Sequence, residues 1–317
     1  MVDTKSGQSQ VGPIGASSPI ASIVIPAHNE EAVIARTLST LLADARSGEF
    51  DIVVVCNGCT DATQSISEGF ADRGVRTISI QTPSKIAALN AGDREVQAMP
   101  RVYLDADVRI TADSVRKLVA TLDAGALVAA PRAQLDVDQC SALVRAYFTV
   151  WSELGHVNRG LGSGVYALSR DGRARFDDFP SVMGDDYFIY CLVDEDDRIS
   201  PVDAVATVVP PQTIKDLAKR RLRIEKGNSE IRSQGTGSSQ GTGSSQGTGS
   251  SRGTGSSQGA GLLDVVKKQP RLLPNVALYA GLHGWARLRV RRMSADQVGW
   301  QRAESSRTQV EGVADNE

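Results

Sequence analysis

Short apolar runs alternate with stretches of helical period along the first third of the chain. Ile20–Pro26, Asp51–Cys56, Val75–Ile80 and Arg101–Asp105 are nearly continuous apolar segments of strand length. Between them, Glu30–Ala43 places Val33, Leu38, Leu41 and Leu42 on one helical face. A second helix, capped by Thr60 or Asp61, is expected to run to about Phe70, and a third to span Ser84–Ala98. Strands without polar alternation are buried on both faces. The βαβαβαβ rhythm therefore predicts an α/β fold with a doubly wound, mostly parallel sheet.

The rest of the chain is less regular. Residues 1–18 are rich in Gly, Ser and Gln and are expected to be a disordered tail. Residues 19–108 are expected to form the Rossmann-like half of the domain, and 109–232, with a helix predicted over 212–222, a second half that completes a cleft. Residues 233–261 repeat Ser-Gln-Gly-Thr-Gly-Ser with a period of six, which reads as a flexible linker because nothing in it can build a core. Residues 262–292 are helix-compatible, interrupted by Pro270 and Pro274, and 293–317 are a polar tail. In the helical segment Val276, Tyr279, Leu282, Trp285 and Leu288 recur at helical spacing beside Arg287, Arg289, Arg291 and Arg292. The plainer expectation is a stripe packed on the domain or on a second subunit. The alternative is peripheral membrane contact through 275–292.

Composition narrows the function classes. The 317 residues have a formal net charge of −2, which gives no electrostatic case for nucleic acid as a partner. No apolar stretch is long enough to span a bilayer, and no basic segment leads into an apolar core at the N-terminus. A cytoplasmic location, with an option of the inner membrane face, is expected. Of four cysteines, Cys56 and Cys59 form a C-x-x-C, but Cys56 continues an apolar strand, and His28, His156 and His283 lie far apart in sequence. Two small buried thiols beside a turn explain the pair better than zinc or redox chemistry.

The chemistry gathers at strand tips, where ligands of open α/β sheets sit. Asn29 and Asn57 end two strands. Asp105 and Asp107 close the run Val102–Leu104, and in a strand both carboxylates would share a face. Two hard oxygen ligands there suit Mg²⁺ or Mn²⁺ bound together with a phosphate.

Six strings, in order, resemble family 2 glycosyltransferases, the inverting sugar-transfer enzymes of the GT-A fold. They cover roughly residues 20–230. Ile23–Glu31 looks like the family's opening strand and nucleotide-binding loop. Val53–Asp61 is similar to its V-V-D-D-G-S-T-D strand, with Asn57 in place of the more common aspartate. Lys85–Gly92 matches G-K-x-x-A-L-N-x-G, Leu104–Asp107 stands at the D-x-D, Gly162–Arg170 resembles the acceptor-side strand G-x-x-x-x-x-R, and Gly184–Phe188 looks like the E-D catalytic motif.

The resemblance implies roles. Asp107 would be the closer metal ligand and Asp105 would lie nearer the ribose. Pro26, Ala27, Asn29, Glu30, Asn57 and Lys85 would line the nucleotide-sugar site, with uridine as the default base. Asp186 would be the catalytic base, supported by Asp185. Gly162, Gly164 and Arg170 would face the acceptor. Arg220 and Arg223 stand near the place of the family's Q-x-x-R-W, without its Gln and Trp, and could clamp a diphosphate. His28 is equally a turn residue, and Asn29 a helix cap. The implied reaction moves one sugar from a nucleotide sugar to a hydroxyl, with the acceptor lipid-linked or a cell-surface glycan precursor by family analogy. One rival is a sugar-phosphate nucleotidyltransferase, which would want a Gly-rich, basic loop where this chain has Ala27-His28-Asn29-Glu30. The other is a non-catalytic nucleotide-sugar-binding protein of the same fold.

Overall fold

The structure, a computed structural model, describes residues 18–154, 163–181, 184–233 and 254–292. Its first part follows the pattern read above. The elements run β1 (Ala21–Ala27), α1 (Ile34–Leu42), β2 (Phe50–Asn57), α2 (Thr63–Glu68), β3 (Val75–Ile80), α3 (Lys85–Glu95) and β4 (Arg101–Leu104). Then come β5 (Val108–Ile110), α4 (Ala112–Asp123), β6 (Val128–Ala129), β7 (Arg132–Leu135), α5 (Ala142–Glu153), β8 (Val165–Leu168) and α6 (Arg170–Arg173). The chain continues through α7 (Asp185–Leu192), β9 (Arg198–Ile199), β10 (Val205–Val208), α8 (Ile214–Ser233), α9 (Thr254–Lys268) and α10 (Leu273–Arg291).

The main sheet has the order β3-β2-β1-β4-β8-β6-β9, and β5-β10-β7 form a smaller sheet. Strands β1 to β4 are mutually parallel, and β8 runs antiparallel between β4 and β6. The chain winds outward from β1 to β3 and then returns to place β4 on the other side of β1. The crevice beyond the carboxyl ends of β1 and β4 is therefore the topological switch point.

Continuous apolar strands serve two cores. Ile23 and Ile25 of β1, Ile52 and Val54 of β2, and Val102 and Leu104 of β4 pack with α1 and α4. Their neighbours Val24, Val53, Val55 and Tyr103 face the other layer, with Ala88 and Leu89 of α3 and Phe188 of α7. Gly92 brings α3 down onto this face: a Cβ there would lie 2.5 Å from Val24 Cγ1 and 2.9 Å from Val55 Cγ2. A buried polar knot fastens the same layer. Asp93, 5% exposed, accepts from Tyr103 Oη at 2.7 Å and from Arg173 Nε at 2.7 Å, and pairs with Arg101 at 2.5 Å.

The C-terminal region departs from expectation. Residues 234–253 of the repeat, like 1–17 and 293–317, lie outside the described residues. Helix α8 runs on to Ser233, well past the expected 222, and α9 already begins at Thr254, inside the stretch read as linker. The helix that Leu262, Val265 and Val266 anchor in a third apolar cluster reaches back into the repeat. Pro274 does not interrupt α10. It stands in its first turn, where a missing N–H costs nothing.

The apolar stripe of α10 also splits. Val276, Tyr279, His283 and Ala286 are buried, whereas Trp285 and Leu288 are 44% and 54% exposed. The buried face packs with Tyr147 of α5 and Leu217 of α8. Arg221 Nη2 donates to His283 Nδ1 at 3.2 Å, so the other ring nitrogen carries the proton shared with Tyr147 Oη at 3.0 Å.

Candidate active site

Two loops at the sheet's carboxyl edge are laced together. After β1, Asn29 takes φ 50°, in the left-handed region. Its Oδ1 accepts from the Thr60 amide at 2.7 Å. The Glu30 amide donates to Thr63 Oγ1 at 2.6 Å, and Glu31 accepts from the Ala62 amide at 2.9 Å. Asn29 is thus a bridge between loops rather than a helix cap, since α1 starts only at Ile34. His28 Nδ1 contacts the Asn57 carbonyl. Pro26 and Ala27 belong to the strand, and the sheet buries them. Of the two, Ala27 reaches this region through its carbonyl, which accepts from Asn57 Nδ2 at 2.8 Å.

That bond orients Asn57. Its side chain is 1% exposed, the amide nitrogen is committed to Ala27, and Oδ1 has no hydrogen-bond partner among the described residues. A buried acceptor left unpaired is costly, and marks a place where a donor is wanted. Nearby, Cys56 and Cys59 are free thiols. Burial, with Cys59 beside it, pushes the Cys56 thiol up to about 12. At that value it is protonated and inert, in keeping with the plainer reading of the C-x-x-C.

Asp105 and Asp107 do not extend a strand, as their spacing suggested. Strand β4 ends at Leu104, and the aspartates occupy the turn into β5, which belongs to the other sheet. Strand alternation therefore does not set their direction; the turn's own anchors do. The Asp105 amide donates to the Gly164 carbonyl at 2.9 Å, the Val108 amide to the Asp105 carbonyl at 3.1 Å, and Thr37 Oγ1 to the Ala106 carbonyl at 2.8 Å. Gly164 has φ 69°, and a Cβ on it would sit 2.7 Å from Val108 and 3.1 Å from Asp105 Oδ2. Glycine at 164 thus leaves room for the Asp105 side chain. The charge of Asp107 acts on Asp105 and also on Arg36 of α1.

Lys85 joins the two acidic motifs. It is the first residue of α3, whose N-cap Ser84 accepts from the Ala87 amide at 3.2 Å. Its ammonium lies 2.6 Å from Asp105 Oδ1 and 2.9 Å from Asp185 Oδ1. Burial would strip its proton, but the charges of Asp105 and Asp185 outweigh that and hold it up. Burial pushes the Asp105 carboxyl up to about 6 even with Lys85 opposing. Asp185, 5% exposed, also accepts from Tyr166 Oη at 3.0 Å. Next to it, Asp186 accepts from the Tyr187 amide at 2.8 Å. Its proton affinity is raised by burial first and by the Asp185 charge second, while Lys85 and Arg220 pull the other way.

The structure therefore gathers Lys85, Asp105, Asp107, Asp185, Asp186, Gly164 and Arg220 at one end of the sheet. Arg223 follows one turn after Arg220 on α8. Arg170 is not brought there. Strand β8 runs antiparallel to β4, so Val165 pairs with Leu104 at the site end, and Leu168 with Arg101 at the far end. Arg170 opens α6 beyond that far end and is exposed. Gly162 lies outside the described residues. Tyr166 and Arg36 escaped the sequence reading. Tyr166 sits in an apolar strand, Arg36 on an exposed helix face, and neither position carries a signal of its own.

Comparison with known proteins bears on the fold and on the family of one segment. The sequence profile of Glycosyl transferase family 2 matches residues 22–161. Validoxylamine A glucosyltransferase of Streptomyces hygroscopicus subsp. limoneus is 40% identical over 62 residues, 19% of this chain and 14% of that protein. The aligned stretch is thus a small part of that relative's length. The mannosyltransferase PcManGT from Pyrobaculum calidifontis, solved in complex with GDP-Man and Mn²⁺, superposes with a TM-score of 0.54 at 19% identity, covering 87% of this chain and 74% of its own. That likeness concerns the fold, and it agrees with the doubly wound sheet described above. The match to the Glycosyl transferase family 2 profile thus falls on residues 22–161, the segment that holds the two laced loops, Lys85 and the aspartate turn.

Proposed function

We propose that this protein moves a single sugar from a nucleoside-diphosphate sugar to an acceptor hydroxyl, inverting the anomeric centre. The observation that carries the reading is the junction at Lys85. One ammonium ties the aspartate turn of the family segment to Asp185, whose neighbour Asp186 is a carboxylate with raised proton affinity. A carboxylate of raised proton affinity is a stronger base than an ordinary aspartate.

The residues take the following parts. Asn57 Oδ1 accepts an N–H from the base edge, which uracil or guanine presents, with uracil the default. Lys85, at the positive end of α3, and Arg220 with Arg223 hold the diphosphate. Asp186 takes the proton of the acceptor hydroxyl. The acceptor oxygen bonds to the anomeric carbon as the bond from that carbon to the phosphate oxygen breaks on the opposite face. With no covalent sugar intermediate, configuration inverts. Asp185, held by Lys85 and Tyr166, keeps Asp186 in place.

The donor set fits Mg²⁺ or Mn²⁺ bound together with substrate. Among the described residues no cluster of three or more His, Cys, Asp or Glu could cage an ion alone. Asp107, with Asp105, offers the one or two carboxylates such ions take alongside phosphate oxygens. When bound, the ion supplies Lewis-acid stabilisation of charge growing on the leaving diphosphate. The two relatives are named for glucosyl and mannosyl transfer, which makes a hexosyl donor the first to try. A lipid-linked or cell-surface glycan precursor is the acceptor class we favour, and the inner face of the membrane the favoured location.

A thermal-shift screen of nucleotide sugars with and without Mn²⁺ tests donor and metal together, because a ligand that binds the native fold raises Tm. One nucleotide sugar that stabilises only with metal supports the reading. Asp186→Asn should then retain that shift and lose transfer. Shifts without turnover by the unmodified chain would favour a binding protein, and no shift at all would remove the proposal.

A further inference from the structure

Helix α10 is apolar on two opposite sides, and its inner side is already satisfied by Tyr147, Leu217 and Arg221. The outer side carries Leu273, Ala277, Gly281 and Leu288, spacings that a period of about 3.6 residues brings to one face. All four are exposed, Leu273 at 57% and Leu288 at 54%, and Trp285 beside them is 44% exposed. A Cβ built on Gly281 or Gly284 meets nothing within 4 Å. On the preceding helix, Leu263 is 64% exposed. An apolar strip on the outside of a helix calls for an apolar phase beyond the domain.

Charge selects what that phase is. Residues 261–292 hold seven Lys and Arg side chains against one acid, Asp264, in a chain whose net charge is −2. Lys267 and Lys268 at the end of α9, and Arg289, Arg291 and Arg292 at the end of α10, are exposed. A second copy would bring the same basic surface against this one and be repelled. An anionic bilayer offers both an apolar interior and opposite charge. No helix among the described residues is long and apolar enough to cross a membrane, so the contact lies in the interface plane.

We infer that α9 and α10 dock this protein on anionic lipid, with Leu273, Trp285 and Leu288 at the level of the acyl boundary and the flanking Arg and Lys side chains on lipid phosphates. The inference rests on a helix face remote in sequence from the catalytic acids, and stands or falls apart from the proposed reaction.

The experiment is co-sedimentation of the full chain with phosphatidylcholine vesicles, with and without phosphatidylglycerol. Binding is expected only when the anionic lipid is present, and should be released by high salt. Arg291→Gln and Arg292→Gln should each weaken it about fivefold. Leu273→Glu with Leu288→Glu should weaken it about tenfold or more, with Tm and nucleotide-sugar thermal shift unchanged. Tryptophan emission should move to the blue on anionic vesicles, and Trp285→Phe should abolish the change. Absence of binding to either vesicle overturns the inference, as does equal binding to both. A dimer in light scattering that Leu288→Glu dissolves would assign the strip to a second copy instead.

Discussion

Lys85 Nζ stands 2.9 Å from Asp185 Oδ1, across a hundred residues of sequence. The same ammonium is 2.6 Å from Asp105 Oδ1, so one cation pairs with two carboxylates that belong to separate motifs. Without it, the cleft would hold like charges offset only by the Tyr166 hydrogen bond to Asp185 and by Arg220 near Asp186. We expect Lys85→Met to lower kcat/KM by about 10²- to 10³-fold, the usual loss when one preorganised electrostatic group is removed. Lys85→Arg should recover part of it. Asp105 should also titrate above its value of about 6 in the parent, readable by carboxyl-carbon NMR.

Asp186 should set the acid side of the rate profile. Its carboxyl is held above the ordinary aspartate range by burial and by Asp185. Below that raised value it is protonated and cannot accept the hydroxyl's proton, so kcat should rise with pH through it and then level. Asp185→Asn removes one of the raising charges, and the limb should move to lower pH. A limb that stays in place in this variant would mean that another group limits the rate.

Glu49 predicts a stability effect far from the cleft. Arg116 Nε lies 2.7 Å from its Oε1 and Nη2 2.9 Å from its Oε2, a two-point pair on a buried carboxylate. The Arg116 hydrogen bonds pull Glu49 down to about 2, against the opposing effect of burial. A depressed carboxylate stabilises the fold above its unfolded pKa of about 4.3, and that contribution is lost as pH falls toward about 2. Glu49→Gln should cost about 1.5–3 kcal/mol at neutral pH, with the gap to the parent closing in acid denaturation curves.

Asp93 should be less forgiving. Replacing it by Ala leaves Arg101 and Arg173, which are largely buried, without their shared anion. Breaking a buried pair from one side costs about 3–5 kcal/mol, measurable by urea unfolding. Asp93→Asn should fall between, since the amide still accepts from Tyr103 but carries no charge.

Much of this was legible in the residues. The four runs became β1 to β4 to within a residue or two at each end: β1, β2 and β4 are almost wholly buried and leave few polar positions to confuse the reading, while β3, at the sheet edge, exposes Arg76 and Ser79. Lys85, Asp105, Asp107, Asp185 and Asp186 were named from their strings, and they do converge. What failed was direction. Asp105 and Asp107 were placed on a strand face, yet their turn joins two sheets and takes its geometry from Gly164 and Thr37, which lie far away in sequence. Arg170 was assigned to the cleft, but β8 runs the opposite way to its neighbours and carries it to the far edge.

The sequence by itself determined the local choices: which runs are strands, which faces of the early helices are apolar, and which residue types could do chemistry. Those follow from side-chain period and from the cost of burying polar groups, both visible one segment at a time. The tertiary structure alone decided who meets whom. Tyr166 reaches Asp185, Lys85 spans two acids, and His283 buries one side of α10 while Leu273 and Leu288 remain outside. Such pairings depend on strand direction and loop closure across many residues, and no local pattern encodes them.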